Sequence, residues 1–563
     1  LNHLLDQLEE AKRTFGAKEQ IRLSKLLKQV SRHRFTDAES LIRFHEALMF
    51  ILAYPQTEKL LEATKKELAS FPKRIEKLED LTPFGDAEVS GIAGTGLTAM
   101  FGYKFALWLS ERHKKESEID WDGYEDKGQM GATLQRFLPL MEEESLVEPH
   151  VAFLDYLQRA KPRNETDLSW MMKNFSRLGL SEKEKAEIYE SLKLFIHLKP
   201  DFESSRTGLR FETTEIFYHT EPLIARRDVS IERELSSPPL KIEKLSAKAG
   251  TQILNVIRAA SAVRYRELHG FIRADAKSFL KVNLGRGVTV FLNEISHENR
   301  LPLRACHSGF MFKNGVPIGY VECLSLFEKT EIGFNLYYTF REGETAWLYA
   351  KLLKLFNQHL GVTLFSVDPY QIGHDNEEGI ESGAFWFYRK LGFKSVNEDV
   401  AKIVEREEKK IAKRKDYRTP AKILRKIAES HLVYESQVPS PKSKVSSLKS
   451  QVQNLMIRNL VLVVQEKMSQ RFGGNAERMR KETSKQISSI LKIEDFRSKA
   501  FDDFAVVLSL IPNLSHWNDD EKELIVEIVR SKTSGSEVRY LRLLQKHEKL
   551  REAFIRLGLQ DWF

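Results

Sequence analysis

The residues best placed to do chemistry lie between positions 310 and 395. A strand from Glu331 to Phe340 is expected to run into a tight turn, Arg341 to Thr345, and then a helix starting near Ala346. The first amides of a helix have no intrahelical acceptor and sit at the positive end of its dipole, so this turn could bind a phosphate. The next strand, VTLFSVD, ends in VDPY and is followed by the polar loop QIGHDNEEG and a helix carrying FWFYRKLGF. Loops after strand C-termini are where open α/β sheets bind ligands. Asp368, His374 and their acidic neighbours Asp375, Glu377 and Glu378 could face a cationic amine. They could equally be an ordinary acidic helix start. Strand alternation puts Glu331, Gly333, Asn335 and Tyr337 on one face. No EF-hand or H-E-x-x-H spacing is present, so no metal is expected.

Other motifs carry less. Gly91-Ile92-Ala93-Gly94-Thr95-Gly96 lacks the Gly-Lys-Ser/Thr ending of a phosphate loop and reads as a tight turn. Glu322 and His307, on neighbouring strands, are further base candidates, although a lone His is more often structural. Cys306 and Cys323 sit on candidate strands with no identifiable base beside them. The stretch Arg406 to Lys426 is basic enough to grip nucleic-acid phosphates, but its interleaved Glu residues also suit an exposed helix.

Elements of several domains must position these groups. At 563 residues with 42% hydrophobic content, the chain holds three or four domains and is not disordered. Two cysteines exclude a disulfide framework and a four-cysteine zinc site, and a reducing, cytoplasmic setting is expected. LNHLLDQLEEAKRTFG is charged and amphipathic, unlike a secretory signal. The best membrane candidate, Ser90 to Leu109, contains four glycines and is expected to be a loop plus helix, so no membrane span is expected.

Four regions follow from pattern shifts. Residues 1–80 read as helices, with Leu41, Phe44, Leu48, Ile51 and Leu52 at helical spacing. Residues 81–239 are mixed but mostly helical, and the Pro238-Pro239 pair closes them. Residues 240–400 alternate strands and helices, with a hairpin signalled at Asn314-Gly315 and a helix from about Glu377 to Leu391. Residues 401–563 are helical and carry about 33 basic against 22 acidic side chains, a net charge near +11 where the rest of the chain has about −3. A Ser/Pro/Lys linker is expected at 436–450. The fold class is therefore α/β, a mixed-sheet domain between largely helical flanks.

The 240–400 region resembles the GNAT superfamily of N-acetyltransferases. Ala384 to Phe393 looks like that family's A-x-x-F-Y-x-K-L-G-F ending, NGVPIGYVE looks like its paired strands, and FREGETA stands where its pyrophosphate turn lies. The resemblance spans about 150 residues and implies a GNAT-like fold binding acetyl-CoA or another acyl-CoA as cosubstrate. It places the cosubstrate on Tyr338, Thr339, Phe340, Arg341, Glu342, Gly343, Glu344, Thr345, Ala346 and Asn376, with the pyrophosphate on the turn from Arg341 through Ala346. It implies that Tyr388 is the general acid for the departing thiolate and Glu331 the base, with Asn335, Asp368 and His374 facing the amine acceptor. The chain departs from the family pattern at Glu344, which stands in place of a glycine, and at Glu381, which stands in place of an asparagine. A carboxylate at 344 is compatible with pyrophosphate only if it points away.

The expected function is acyl-CoA-dependent N-acyl transfer to a small-molecule or protein amine. The alternatives are a non-catalytic GNAT-like scaffold or acyl-CoA sensor, and a nucleic-acid-binding factor acting through the basic tail. The acceptor, the acyl chain and the oligomeric state are not specified by the sequence.

Overall fold

The Asn314-Gly315 turn forms as its residue types demand. Asn314 has φ 49° and Gly315 φ 79°, the paired positive values of a type I′ hairpin. A Cβ at Gly315 would lie 2.3 Å from the Phe211 carbonyl oxygen, so no larger residue fits. The computed structural model describes residues 1–139, 152–414, 416–438, 455–493 and 498–558. Most of the expected 436–450 linker lies outside them.

Strands are numbered along the chain. β1 (Leu97–Met100), β2 (Ser117–Ile119) and β3 (Phe195–Leu198) form a small antiparallel sheet in the order β1-β3-β2. The main sheet has nine strands, β4 (Ile242–Lys244), β5 (Leu280–Gly285), β6 (Val288–Glu294), β7 (Ala305–Lys313), β8 (Val316–Leu326), β9 (Lys329–Leu336), β10 (Leu364–Val367), β11 (Lys394–Ser395) and β12 (Leu432–Glu435). Their spatial order is β11-β12-β10-β9-β8-β7-β6-β5-β4. Only β9 and β10 are parallel, joined by the helix Thr345–Leu360. The fold is thus mixed α/β, with helices flanking a mixed sheet. β12 enters beside β10 from beyond residue 400, so the expected limit at 400 cuts through the sheet.

Several expectations shift in detail. β9 stops at Leu336 instead of Phe340, because Tyr338–Phe340 turns into a 3-10 helix whose Thr339 is buried against Glu46. The helix expected over Glu377 to Leu391 is two, Glu377–Glu381 and Ala384–Lys390, separated at Gly383 with φ 65°. Residues 90–109 form turns, β1 and the start of the helix Tyr103–Arg112. Among the described residues no helix is long and apolar enough to cross a membrane. The glycine turn is packed internally: the Ala93 amide donates to Thr207 and the Gly91 carbonyl accepts from the Arg206 amide.

The N-terminal helices buttress the sheet's working end. Asp37 caps the helix Ala38–Ala53, accepting a hydrogen bond from the Ser40 amide, and Leu41, Phe44, Leu48, Ile51 and Leu52 are all buried. That helix carries Glu46, which meets Arg206 at 3.1 Å, His45 and Thr339. At the other side, the helix Glu537–Lys546 packs on β7 and β8, where Glu537 binds Lys532 at 2.6 Å and the Cys306 amide at 2.8 Å.

These buried carboxylates predict acid lability. Burial alone would raise the Glu46 carboxyl, but Arg206, His45 and Thr339 overcome it and hold the pKa at about 2. Glu294 is likewise held at about 2 against its burial by His307, the Glu537 amide and Arg300. A depressed carboxyl contributes stability above its unfolded value that is lost as pH falls through the folded one. Urea unfolding should therefore show stability falling between about pH 4.5 and 2, on the order of 3 kcal/mol per group. Glu46→Gln should flatten that slope; an unchanged slope would refute the assignment.

Candidate active site

The parallel pairing of β9 and β10 is short. It joins Lys329, Thr330 and Glu331 to Leu364, Phe365 and Ser366 and goes no further, although β9 runs on to Leu336. Beyond Glu331 the two strands part. The fork opens on a cleft of about 390 Å³, within the range of small-molecule sites. Phe334, Asn335 and Leu336 of β9 line it, as do Arg341 and Thr345 of the turn. Asn376, Phe387 and Tyr388 line it from the elements after β10.

One end of the cleft meets the helix Thr345–Leu360. The first bond into this helix runs from the Leu348 amide to the Glu344 carbonyl, so the amides of Thr345, Ala346 and Trp347 precede the ladder. Arg341 is held at this end by the Leu336 carbonyl, 3.0 Å away, and by Glu378. Glu344 points away from the cleft. Its buried carboxylate lies 2.6 Å from Arg286 and 3.5 Å from Lys313 and accepts from the Ile224 amide at 3.1 Å. The departure from the family's glycine thus places no charge in the cleft.

Tyr388 sits on the cleft wall, its ring packed edge-on against Tyr349 and Phe393. Burial pushes its phenol up, so it is protonated at any working pH. Its hydroxyl has no hydrogen-bond partner among the described residues and is free to donate into the cleft. The ring is therefore packed in the core and also lines the cleft.

Glu331 lies at the base of the fork. Asn335, four residues on, is about 13 Å further along the strand, so Glu331 does not line the cleft itself. It forms a cluster that the sequence did not suggest. His431, just before β12, has its Nε2 3.8 Å from Glu331 and 3.5 Å from Asp368. The three ligand atoms lie within 4.8 Å of one another, and Arg304 stands 3.7 Å from Glu331. The His431 hydrogen bond holds the Asp368 carboxyl below its usual value. Sixty-three positions separate Asp368 from His431, and only the insertion of β12 beside β10 joins them.

Other expected site residues fall elsewhere. Thr339 and Phe340 are buried, and Thr339 is committed to Glu46. Glu342 is turned outward, paired with Lys12 and Arg13 of the N-terminal helices. Gly343 abuts Tyr54, and a Cβ there would meet its hydroxyl at 2.2 Å. Tyr338 is exposed, with Arg341 6.0 Å from its ring centre. Ala346 is buried behind the turn, and Thr345 donates to the Arg341 carbonyl. His374 is exposed beside Asp375, outside the cleft, because the chain turns at Gly373. Asn376 caps the next helix and donates to Tyr370, so its side chain is a structural bracket at the rim. Glu322 is spent on the Gly270 amide and Ser308, and His307 is buried near Glu294. Both cysteines are buried, and burial raises both thiols, which removes a nucleophile reading.

Within the basic stretch Lys410 pairs with Glu407 and Arg425 with Glu377, and just before it Lys402 pairs with Asp399. No family model, no curated protein and no solved structure matches this chain.

Proposed function

We propose that the chain is an acyl-CoA-dependent N-acyltransferase of GNAT type, acting at the β9–β10 fork. The observation that carries this reading is the fork itself: two parallel strands part just after Glu331, and the cleft between them leads to the free N-terminus of the Thr345 helix with Tyr388 on its wall. The residues present fit the cosubstrate. The amides of Thr345, Ala346 and Trp347, together with Arg341, suit a pyrophosphate, and Glu344 has been withdrawn from it.

Bound acyl-CoA would supply an activated acyl carbon. Glu331, at the base of the fork with His431 and Asp368 behind it, would take the proton of the incoming amine at its carboxylate oxygen through intervening water. β9 amides beyond Glu331, released from β10, are available to a developing carbonyl charge. Tyr388 would hydrogen-bond the sulfur as its bond to the acyl carbon breaks, and the thiolate would take its proton from solvent on release.

Calorimetric titration with acetyl-CoA and longer acyl-CoAs tests the reading. Saturable binding is expected, and Arg341→Glu should weaken it at least about 100-fold, since a charged contact is replaced by repulsion. No binding of any acyl-CoA by the unmodified chain would overturn the proposal.

A further inference from the structure

β9 and β10 part beyond Glu331, and one ion pair ties together the elements that follow them. Arg341, in the turn after β9, meets Glu378, on the short helix Glu377–Glu381 after β10, and both side chains line the cleft. The pair therefore joins the cleft's two walls. Arg341 reaches it with one terminal nitrogen, while its Nε is fixed by the Leu336 carbonyl at 3.0 Å. The two side chains are 33% and 51% exposed, so water reaches the pair and it can be exchanged at little cost.

The helix that carries Glu378 is lightly held. From His374 to Ser382 only Gly379 and Ile380 are buried. Asn376 brackets its start, accepting from the Gly379 amide and donating to the Tyr370 carbonyl. The helix's other ion pair lies outside the cleft: Glu377 takes Arg425 of the helix Ala421–Ile427 through both carboxylate oxygens, at 3.0 and 2.9 Å. Adjacent carboxylates thus divide their work. Glu377 anchors the helix to the region beyond residue 400, and Glu378 reaches the arginine of the turn.

We propose that Glu378 is a built-in competitor for the cosubstrate's pyrophosphate: it occupies Arg341 in the free protein and yields it when the diphosphate arrives. A guanidinium offers the same donors to a carboxylate and to a phosphate. The diphosphate prevails because it carries more charge and is also served by the amides of Thr345, Ala346 and Trp347, which a side chain on the opposite wall does not use. Glu378 beside bound diphosphate would face like charge, so it turns out to solvent. The apparent affinity is lowered by the fraction of molecules in which Arg341 is already taken. The exchange also unties the two walls at the pyrophosphate end, while Arg425 keeps its hold on Glu377. Glu344 and Glu378 therefore play opposite parts: Arg286 and Lys313 keep the first away from the turn, and the second stays within reach of it.

This inference rests on the acyltransfer reading for the identity of the ligand, and two titrants separate the two. The full chain is titrated with acetyl-CoA and with inorganic diphosphate. Glu378→Gln should bind acetyl-CoA about 5- to 20-fold more tightly, since no ion pair has to be broken and one like charge is gone. Glu377→Gln, which removes the neighbouring charge outside the cleft, should stay within about twofold. In an Arg341→Gln background the gain from Glu378→Gln should fall below about twofold, because no arginine is left to compete for. A gain in affinity also sets this role apart from a structural one, since damage to the helix would weaken binding. Unchanged or weaker binding by Glu378→Gln, an equal gain in Glu377→Gln, or a gain that survives Arg341→Gln would overturn the inference. In a chain that binds no acyl-CoA, diphosphate decides. An Arg341-dependent gain for diphosphate in Glu378→Gln would uphold the competition and remove the acyl-CoA reading, and no diphosphate binding with or without Glu378 would overturn both.

Discussion

Tyr388→Phe is expected to slow acyl transfer by about 10²-fold while leaving acyl-CoA affinity within about twofold. General acids contribute about 10²- to 10⁴-fold, and the environment of Tyr388 decides where in that range it falls. Its phenol is buried among Tyr349, Phe387 and Phe393, and burial raises its pKa above that of an ordinary thiol. Complete proton transfer to a thiolate is then uphill, so the phenol acts chiefly as a hydrogen-bond donor while charge develops on sulfur. That places the loss near the lower end. The packing of the ring is kept in the Phe variant, so stability should fall by no more than about 1 kcal/mol. Single-turnover kinetics with thioesters of graded leaving-group acidity checks the role. The loss should shrink as the departing thiol becomes more acidic, because a stable thiolate needs no donor. A Phe variant equally impaired on every thioester would show that Tyr388 only shapes the cleft, and an unimpaired one would remove it from the chemistry.

The parts of this site legible in the sequence are those fixed by neighbours. The Asn314-Gly315 hairpin, the turn with Arg341, the cleft-lining Asn335 and the helix closed by Gly361 at φ 79° follow from local residue chemistry, while Tyr388 was marked only by the GNAT resemblance. What could not be read depends on contacts across hundreds of positions. Nothing near Glu344 announces Arg286, Lys313 and the Ile224 amide as its partners, so its side chain looked as if it faced the turn. His431 gains its place only when β12 pairs with β10, and alternation along β9 says nothing of that insertion. A small chamber of about 10 Å³ beside the cleft is the extreme case: Arg206 comes from a loop, Arg264 from the turn after the helix Ala247–Ala262 and Tyr337 from just past β9, each unremarkable in its own segment. The parting of β9 from β10 follows from unequal lengths: β10 ends at Val367 before Asp368-Pro369, while β9 runs on to Leu336.

Placing a glycine at position 344, as the resembled GNAT pattern has, should unfold the protein more readily. Glu344 is the carboxylate of a buried cluster: Arg286 at 2.6 Å, Lys313 at 3.5 Å and the Ile224 amide at 3.1 Å. Lys313 is fully buried, and its nearest aromatic neighbour is Tyr54, 4.5 Å from ammonium to ring centre. Burial draws Lys313 down to about 7 even though Glu344 acts to raise it. With the carboxylate gone, the ammonium has no counter-charge and the Ile224 amide no acceptor. Breaking a buried pair from one side costs about 3–5 kcal/mol, so Glu344→Gly should shift the urea midpoint by that amount. Glu344→Gln keeps an acceptor for Ile224 and should cost about half as much. Adding Lys313→Met to Glu344→Gln removes the stranded ammonium and should return at least about 2 kcal/mol, a coupling that independent sites would not show. Acyl-CoA affinity of the folded variants, measured below their midpoints, should stay within about threefold, since this carboxylate faces the interior. A loss under about 1 kcal/mol in Glu344→Gly would mean the cluster does not hold the turn. The pairing explains how a carboxylate can stand at this position: its charge ties the turn to Arg286, Lys313 and the Ile224 amide and leaves the turn's own amides available.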